Sequence, residues 1–410
     1  MKWSSRHYRN GFELQMQKHN LTALLPAFSL GLGVAIGNGF ARFSYALLLP
    51  AMKDQLHWVY AEAGWLNTAN AIGYIVGAIS GYWLLTKSDP IRLFTAGIWL
   101  TIASITLTSI SSELWCLSLA RLGSGIGAAW VFSCGGALVT QRYQSTPALQ
   151  GTATGVYFGG AGIGIILSGI LVNPLIATLG TSEWQIAWAV LGVASFFLSI
   201  WPIRVASSLS SPGSRSPGTS PSWESLFPSL ISYFLFACGY IVYMTFIFAW
   251  LRVQGVSWVV GTWIWVTLGI AVCLSPFVWR VPLTTWNPAM TLSASCFATL
   301  TGTLVPIYFD STAALFFSAA IFGLGVFIAP SSVTVLSRKT MEPTQLAKGI
   351  TLYTIVFSAG QAVGPVLAGW IADRNDLRSA LAFGATLLAV ATPIAMIGMS
   401  HVETRIRDRA

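Results

Sequence analysis

Two arginines, Arg42 and Arg121, lie inside long apolar stretches of this sequence, and these stretches carry no Asp or Glu near their centres. A guanidinium group in hydrocarbon costs about 3 kcal/mol or more, so such a residue faces a water-filled cavity or a partner. Its planar fork of donors suits a carboxylate or a phosphate. The pair therefore predicts an anion-attracting cavity. The alternative is a structural arginine bonded to the carbonyls of neighbouring helices.

Neutral polar residues accompany the arginines in the first half of the sequence, and aromatic residues with polar tips dominate the second half. Asn67 and Asn70 are three residues apart, so they share one face of a helix. A cavity charged on one wall and aromatic on the other suits an amphipathic anion. Buried asparagines that only bridge helices, and tyrosines that only fill the core, are the alternatives. We expect solute contacts from Arg42, Arg121, Asn38, Asn67, Asn70, Tyr157, Tyr240, Tyr243, Tyr353 and Gln361.

The sequence shows no paired carboxylates, nucleophile triad, phosphate-binding loop or metal-ligand spacing. The five cysteines fall in apolar stretches without a CxxC pattern, and the four histidines fall in tails, loops or helix ends. We therefore expect no enzyme activity, no cofactor and no metal. The net charge of +9 is spread over loops instead of forming a patch, so we expect no nucleic-acid partner.

The composition is that of a polytopic membrane protein. Of 410 residues, 54% are hydrophobic and only 9% are charged, whereas soluble proteins are about 25% charged. Apolar runs of about 20 residues each span a bilayer as a helix. The sequence predicts an all-α fold of twelve transmembrane helices, at residues 22–50, 60–85, 91–110, 114–140, 151–177, 183–202, 227–251, 257–280, 288–309, 312–337, 347–372 and 379–401.

A Ser/Pro/Gly-rich stretch at 204–224 has no apolar periodicity and predicts a flexible linker between six helices and six helices. An offset of 198 residues aligns Gly125 with Gly323 and Gly127 with Gly325, which indicates two bundles related by pseudo-two-fold symmetry. Such bundles place a solute site near the membrane midplane. The predicted domains are a tail at 1–21, a bundle at 22–202, a linker at 203–226, a bundle at 227–401 and a tail at 402–410.

The distribution of Lys and Arg predicts the orientation. With both termini in the cytoplasm, 16 of these residues lie in inner loops and tails and 4 in outer loops, as the positive-inside rule requires. We expect a multi-pass protein of the cell inner (plasma) membrane with both termini and the linker cytoplasmic. Arg42 and Arg121 then lie at similar depth, roughly 9 Å to the outer side of the midplane.

Small residues recur where helices would approach each other closely. The run at 159–164 is glycine-rich, and a Gly-Pro pair predicts a bend in the eleventh helix. We expect these positions to govern how the bundles move. The residues in question are Gly125, Gly127, Gly159, Gly160, Gly364 and Pro365.

Motifs in the fourth helix and the first two helices carry a family resemblance. The pattern Leu117-x-x-x-Arg121-x-x-Ser124-Gly125-x-Gly127 is similar to the helix-4 motif of the major facilitator superfamily. The runs at 37–52 and 63–74 resemble the bacterial YbfB-like branch of that superfamily. The resemblance implies twelve helices, transport by alternating access, and an Arg121 that faces the central cavity and can couple to proton movement. The loop at 81–89 departs from the superfamily pattern, which puts the usual latch there in doubt.

We therefore expect a secondary transporter that moves a small organic anion by alternating access, with protons as a candidate coupling ion. Its partners would be that solute and the lipid bilayer, and we expect a monomer. Proton-driven efflux of drugs or metabolites is the alternative function, and a transport-inactive sensor is a third. The lack of a buried acid argues against cationic drugs, since these would meet two arginines.

Overall fold

The computed structural model describes residues 23–85, 87–209 and 226–397. The predicted tails at 1–21 and 402–410 lie outside these ranges, as do residues 210–225 of the predicted linker. Within the described residues the chain is helical and contains no strand. The all-α prediction is thereby confirmed.

The described part of the molecule contains twelve long helices, numbered α1 to α12 in chain order, and two short helices, Thr181–Glu183 and Arg280–Thr285. Eleven of the long helices are long and apolar enough to cross a membrane, and α2 falls outside that set because it carries Glu62, Asn67 and Asn70. The helices are α1 Leu25–Gln55, α2 Tyr60–Leu84, α3 Pro90–Ile110, α4 Leu114–Arg142, α5 Pro147–Leu179, α6 Trp184–Ser207, α7 Phe227–Val253, α8 Trp258–Val278, α9 Pro288–Tyr308, α10 Thr312–Thr340, α11 Pro343–Arg374 and α12 Leu377–Ile397.

Local signals fix several helix ends. The Asp89 carboxylate accepts a hydrogen bond from the Ile91 amide at the start of α3 (2.8 Å), which satisfies one of the free donors of the first turn. Several boundaries differ from the sequence prediction by up to five residues, among them the end of α1, which lies at Gln55 and not at residue 50. Helix α6 continues past residue 202 to Ser207 because its last turns stay apolar and Ala206 is buried against the bundle.

Helices α1–α6 and α7–α12 form two bundles with equivalent internal contacts. Gly125 of α4 packs on the backbone of Asn70, and Gly323 of α10 packs on the backbone of Leu268. Residues 70 and 268 are 198 positions apart, and so are Gly125 and Gly323, which is the offset of the sequence repeat. Pseudo-two-fold symmetry therefore extends from the sequence repeat to the packing of the helices.

The bundles meet along two helix pairs, α2 with α11 and α5 with α8. A Cβ added at Gly64 would lie 2.4 Å from the Pro365 carbonyl oxygen, and one added at Gly162 would lie 2.5 Å from the Gly269 carbonyl oxygen. Only glycine allows backbones to approach this closely. The two pairs therefore form tight seams between the bundles.

The other glycines predicted to govern movement also lie at close helix contacts. Gly160 packs on Gly31 of α1, and Gly364 packs on Cys238 of α7, so both act within a bundle. The Gly159 carbonyl of α5 accepts a hydrogen bond from the thiol of Cys273 in α8 (3.4 Å). That contact belongs to the α5–α8 seam. Gly127 of α4 packs on Gly97 of α3.

The molecule has two ends, a distal face and a proximal face. The distal face carries the α1–α2 loop (residues 56–59) and the α11–α12 loop (residues 375–376). The proximal face is the end at which α1 begins and α12 ends.

Candidate functional site

The middle of α1 is a π-helical segment, Ala35–Phe43, in which the chain takes a wider turn than in an α-helix. The Ser44 amide at its end donates to the Gly39 carbonyl, five residues back (3.0 Å). All nine residues of the segment are buried. Asn38 and Arg42 are four residues apart, close to one turn of this wider helix, so both reach the same side. Segments of this kind often occur at functional sites.

A cavity lies between the two bundles, beside this segment. It encloses about 60 Å³ that the centre of a water molecule can reach, which is room for a few waters. Seven of its thirteen lining residues are aromatic, and none is acidic. Its wall consists of Asn38, Arg42, Phe43, Tyr74, Phe132, Tyr233, Tyr240, Val326, Phe327, Pro330, Thr354, Phe357 and Gln361.

Arg42 supplies the positive charge of the cavity. Its side chain is only 4% exposed, and within the described residues its guanidinium takes part in no hydrogen bond or ion pair. Its Cζ lies 5.3 Å from the centroid of the Tyr74 ring, a cation–π contact. A ring face compensates a buried cation only in part. The Arg42 guanidinium is therefore available to bind an anion.

Two amides from opposite bundles flank the arginine. Gln361 donates from Nε2 to the Tyr240 hydroxyl, while its Oε1 is buried and has no partner among the described residues. The Oδ1 of Asn38 is also buried and also has no partner among the described residues. Amide nitrogen and oxygen can be exchanged by a flip, but in either orientation the Gln361 amide keeps one unsatisfied end. The cavity thus contains unused hydrogen-bonding capacity.

The wall formed by α7 and α11 is a stack of aromatic rings. The Phe357 centroid is 4.7 Å from that of Tyr233, with 21° between the ring planes, and 5.6 Å from that of Tyr240, with 14° between the planes. Phe236 supports the stack from behind, 5.3 Å from Tyr240. On the other side Phe43 of α1 meets Phe327 of α10 edge to face at 6.1 Å. Aromatic surface therefore borders the cavity from both bundles.

Arg121 does not lie on the cavity wall, which differs from the expectation drawn from the family resemblance. Its side chain is 1% exposed and lies inside the first bundle. It donates to the Ala41 carbonyl, to the Leu66 carbonyl (3.3 Å) and to Oδ1 of Asn67 (2.9 Å). Its Cζ also lies 4.8 Å from the centroid of the Tyr45 ring. Carbonyl dipoles and a ring face surround this cation, so it joins α1, α2 and α4.

The two asparagines of α2 also lie away from the wall. Asn67 accepts from Arg121 and donates from Nδ2 to Oγ1 of Thr245 in α7 (2.7 Å). Asn70 donates to Oγ of Ser124 (2.9 Å) and to the Arg121 carbonyl (3.1 Å). Both side chains bridge helices, because their donors are used by protein partners.

Three predicted tyrosines bond inside the bundles as well. The Tyr157 hydroxyl donates to a carbonyl of α4 (2.7 Å). Tyr243 shares a hydrogen bond with Ser318 (2.9 Å), and Tyr353 shares one with Ser229 (2.5 Å). Of the ten predicted solute-contacting residues, the structure brings four together on the wall: Asn38, Arg42, Tyr240 and Gln361.

Several wall residues were not predicted, although the sequence contained signals for some of them. Phe357 precedes Gln361 by four residues, so both lie on one face of α11. Phe327 interrupts the helical hydrogen bonding of α10, between Val326 and Ile328, and Pro330 follows three residues later. A proline inside a predicted helix marks such a break. No comparable signal identifies Phe132.

The distal face is closed by hydrogen bonds between the bundles. The Asp373 carboxylate at the end of α11 accepts from the Tyr60 amide (2.7 Å) and from the Ala61 amide (2.8 Å) at the start of α2. These are free donors at the positive end of a helix, where a carboxylate is stabilising. Deeper in the same seam, Thr68 donates to the Ala362 carbonyl (2.5 Å). We refer to the Asp373 contact as the distal latch.

Residues 34–396 match the family described as uncharacterised MFS-type transporter YbfB. A relative from Bacillus subtilis (strain 168), the uncharacterized MFS-type transporter YceJ, is 28% identical over 229 residues. The matched region covers 52% of this chain, and the chain spans 55% of that relative's length.

Two solved structures share the fold. One is a bacterial homolog of the human lysosomal transporter Spinster in an inward-facing and unoccupied conformation, with a TM-score of 0.65, 14% identity, and coverage of 95% of this chain and 98% of that chain. The other is the nucleoside transporter NupG, with a TM-score of 0.64, 13% identity, and coverage of 92% and 98%. At these identities the likeness extends to the fold alone.

Proposed function

This chain belongs to the family of uncharacterised MFS-type transporters represented by YbfB, and we propose that it moves a small organic anion across the membrane by alternating access. Members of this family are transporters and not enzymes. One observation supports the anionic solute above all. Arg42, a buried arginine without an anionic partner in the described residues, lies on the wall of the cavity between the bundles. Asn38, Tyr240 and Gln361 would orient the solute there.

The proposed movement opens and closes the distal face. The distal latch and the bond between Asn67 and Thr245 join the bundles at that end. The excess of Lys and Arg predicted for the other side supports assigning the proximal face to the cytoplasm. With this assignment the distal face is the outer side of the membrane, and the cavity is closed toward that side. Breaking these hydrogen bonds and that of Thr68, and separating α2 from α11 along their glycine seam, would expose Arg42 to the outside.

Proton-driven efflux of drugs or metabolites is the second candidate, and the aromatic wall favours it. Aromatic surface suits a range of apolar compounds. The lining of the cavity nevertheless contains no carboxylate to bind a cation or carry a proton. In the anion-transport proposal, by contrast, a proton would travel together with a weakly acidic solute, so no carboxylate of the protein is needed to carry it.

The proposal is tested by thermal stabilisation of the detergent-purified protein with three classes of compound. These are short aliphatic and aromatic carboxylates, the amides of the same acids, and lipophilic cations such as tetraphenylphosphonium. We expect stabilisation by carboxylates only, followed by uptake of the best carboxylate into proteoliposomes. An Arg378→Ala variant, which removes an exposed arginine of α12, should behave like the wild type. Stabilisation by amides or cations but not by carboxylates would contradict the anion proposal and favour efflux.

Removing the distal latch should increase the time that the cavity is open at the distal face. Asp373→Ala deletes the acceptor for two amides at the start of α2, and hydrogen bonds to a charged group contribute about 1.5–3 kcal/mol. We expect labelling of a Phe43→Cys probe from the distal side, in a background without native cysteines, to become roughly tenfold faster. The measurement is the rate of reaction with a membrane-impermeant maleimide.

Glu62→Ala is the matched control for the latch. The Glu62 carboxylate accepts from the Val59 amide (3.0 Å) at the same end of α2 but does not connect the two bundles. Its labelling rate should equal that of the unmodified background. Equal acceleration by both variants would show that the effect comes from fraying of α2 and not from the latch.

A further inference from the structure

The cavity also restricts the chemical class of its solute. Resting on the proposed function, we infer that the transported anion is a small aromatic monocarboxylate. Its carboxylate would bind Arg42, and its ring would pack among the rings of the cavity wall. Three properties of the cavity support this: its charge, its aromatic surface and its size.

The charge of the cavity matches a single negative charge. Among the described residues that line the cavity, Arg42 is the one cation and none is acidic. A dianion such as a phosphate monoester would bring a second charge that no cavity residue balances, and an uncompensated buried charge is strongly unfavourable. The guanidinium fork pairs with both oxygens of one carboxylate. A monocarboxylate therefore satisfies the site, and a dianion does not.

The apolar surface of the cavity favours a planar ring over an aliphatic chain. Tyr233, Tyr240 and Phe357 lie nearly parallel on one wall, and Phe43 and Tyr74 face the cavity from the other bundle. Aromatic rings pair best in offset-stacked or edge-to-face geometry, which a flat ligand ring can adopt and a puckered aliphatic ring cannot. The only branched aliphatic side chain on the wall is that of Val326.

The size of the cavity and its unsatisfied amides refine the class. Space for a few waters favours one ring over two. Asn38 and Gln361 each have one amide atom without a partner among the described residues. A polar ring substituent, such as a hydroxyl, would give these amides a partner. Hydroxylated benzoates therefore fit the site best.

The test compares three probes of similar size by isothermal titration calorimetry on the purified full-length chain. Benzoate carries both the ring and the charge, cyclohexanecarboxylate carries the charge alone, and benzamide carries the ring alone. We expect benzoate to bind roughly 2- to 10-fold more tightly than cyclohexanecarboxylate, as aromatic pairing predicts. Benzamide should show no measurable binding.

Replacing one phenylalanine of the cavity wall with leucine tests whether the wall rings cause the preference for benzoate over cyclohexanecarboxylate. Phe357→Leu should reduce benzoate affinity to that of cyclohexanecarboxylate and leave the cyclohexanecarboxylate affinity unchanged. Phe317→Leu is the control, because this phenylalanine of α10 is 55% exposed and lies away from the wall. It should keep the wild-type preference.

The outcomes separate this inference from the proposed function. Equal affinities for benzoate and cyclohexanecarboxylate, both lost in Arg42→Met, would overturn the aromatic class and leave an anion transporter. Binding of benzamide as tight as that of benzoate would overturn both. Binding of neither acid would overturn the aromatic class, and the wider set of compounds described above would then decide on the anion. The comparison of probes on the wild type does not depend on any variant folding.

Discussion

Arg42→Met is expected to abolish anion binding and to leave the ligand-free protein as stable as the wild type, or more stable. Truncating one member of a buried charge pair costs about 2–5 kcal/mol of binding free energy, which corresponds to roughly a 30- to several-thousand-fold increase in Kd. Without a ligand, however, Arg42 is a buried cation with only the Tyr74 ring as a partner. Replacing an unpaired buried charge with an apolar side chain removes a cost to the fold.

The measurement is a pair of numbers for each protein, the melting temperature without ligand and the Kd for the best carboxylate. Arg42→Lys is the matched variant, since it keeps the charge and loses the fork of donors. We expect it to bind more weakly than the wild type and more tightly than Arg42→Met. A large fall in melting temperature in Arg42→Met would show that this arginine supports the fold and not the solute.

Arg121→Met is expected to show the opposite pattern, a clear loss of stability. The change leaves Oδ1 of Asn67 and the carbonyls of Ala41 and Leu66 without this donor. The buried Asn67 oxygen would be left unsatisfied, which costs about 1–3 kcal/mol, and the two helix carbonyls would each lose a hydrogen bond from a charged donor; removal of a buried cation offsets part of this loss. We expect a net loss of roughly 2–4 kcal/mol, and a melting temperature lower by roughly 5–10 °C for a bundle of this size.

Arg142→Met is the control for this prediction, because it makes the same substitution at an exposed position of the same helix. It should leave the melting temperature unchanged. Arg121→Lys should also be destabilised, since one ammonium group cannot reach the acceptor oxygens on α1 and α2 together. An Arg121→Met protein with wild-type stability but no transport would show instead that Arg121 serves the solute or proton coupling.

The helices were predictable from the sequence because a bilayer requires long apolar segments whose backbone groups are satisfied internally. The run at 227–251 is one example, and it is found as α7. Ends were less predictable, since they depend on local packing. The buried Ala206 extends α6 beyond the point at which hydropathy alone would end it.

The level of the two arginines along the bundle was readable from the sequence, since Arg121 bonds to the carbonyl of Ala41, next to Arg42, but the direction of a side chain around its helix was not. Arg42 and Arg121 were predicted at similar depth, yet only Arg42 lines the cavity. The π-helical turn at 35–43 adds an extra residue to α1 and so rotates the positions that follow it. Apolar periodicity does not reveal such a turn. Likewise Tyr240 and Tyr243 share one face of α7 by spacing, but Phe322 stacks on Tyr243 inside the bundle (4.0 Å between centroids).

The single cation of the cavity also has an electrical consequence. A bound monoanion neutralises Arg42, so the loaded protein would reorient without moving net charge through the cavity. The empty protein would return with one positive charge exposed. A voltage of 100 mV, negative inside, acts on one charge with about 2.3 kcal/mol and opposes the return of the empty cavity to the outside. Membrane voltage would therefore act on the empty step and drive the anion outward, unless a cation such as a proton travels with it.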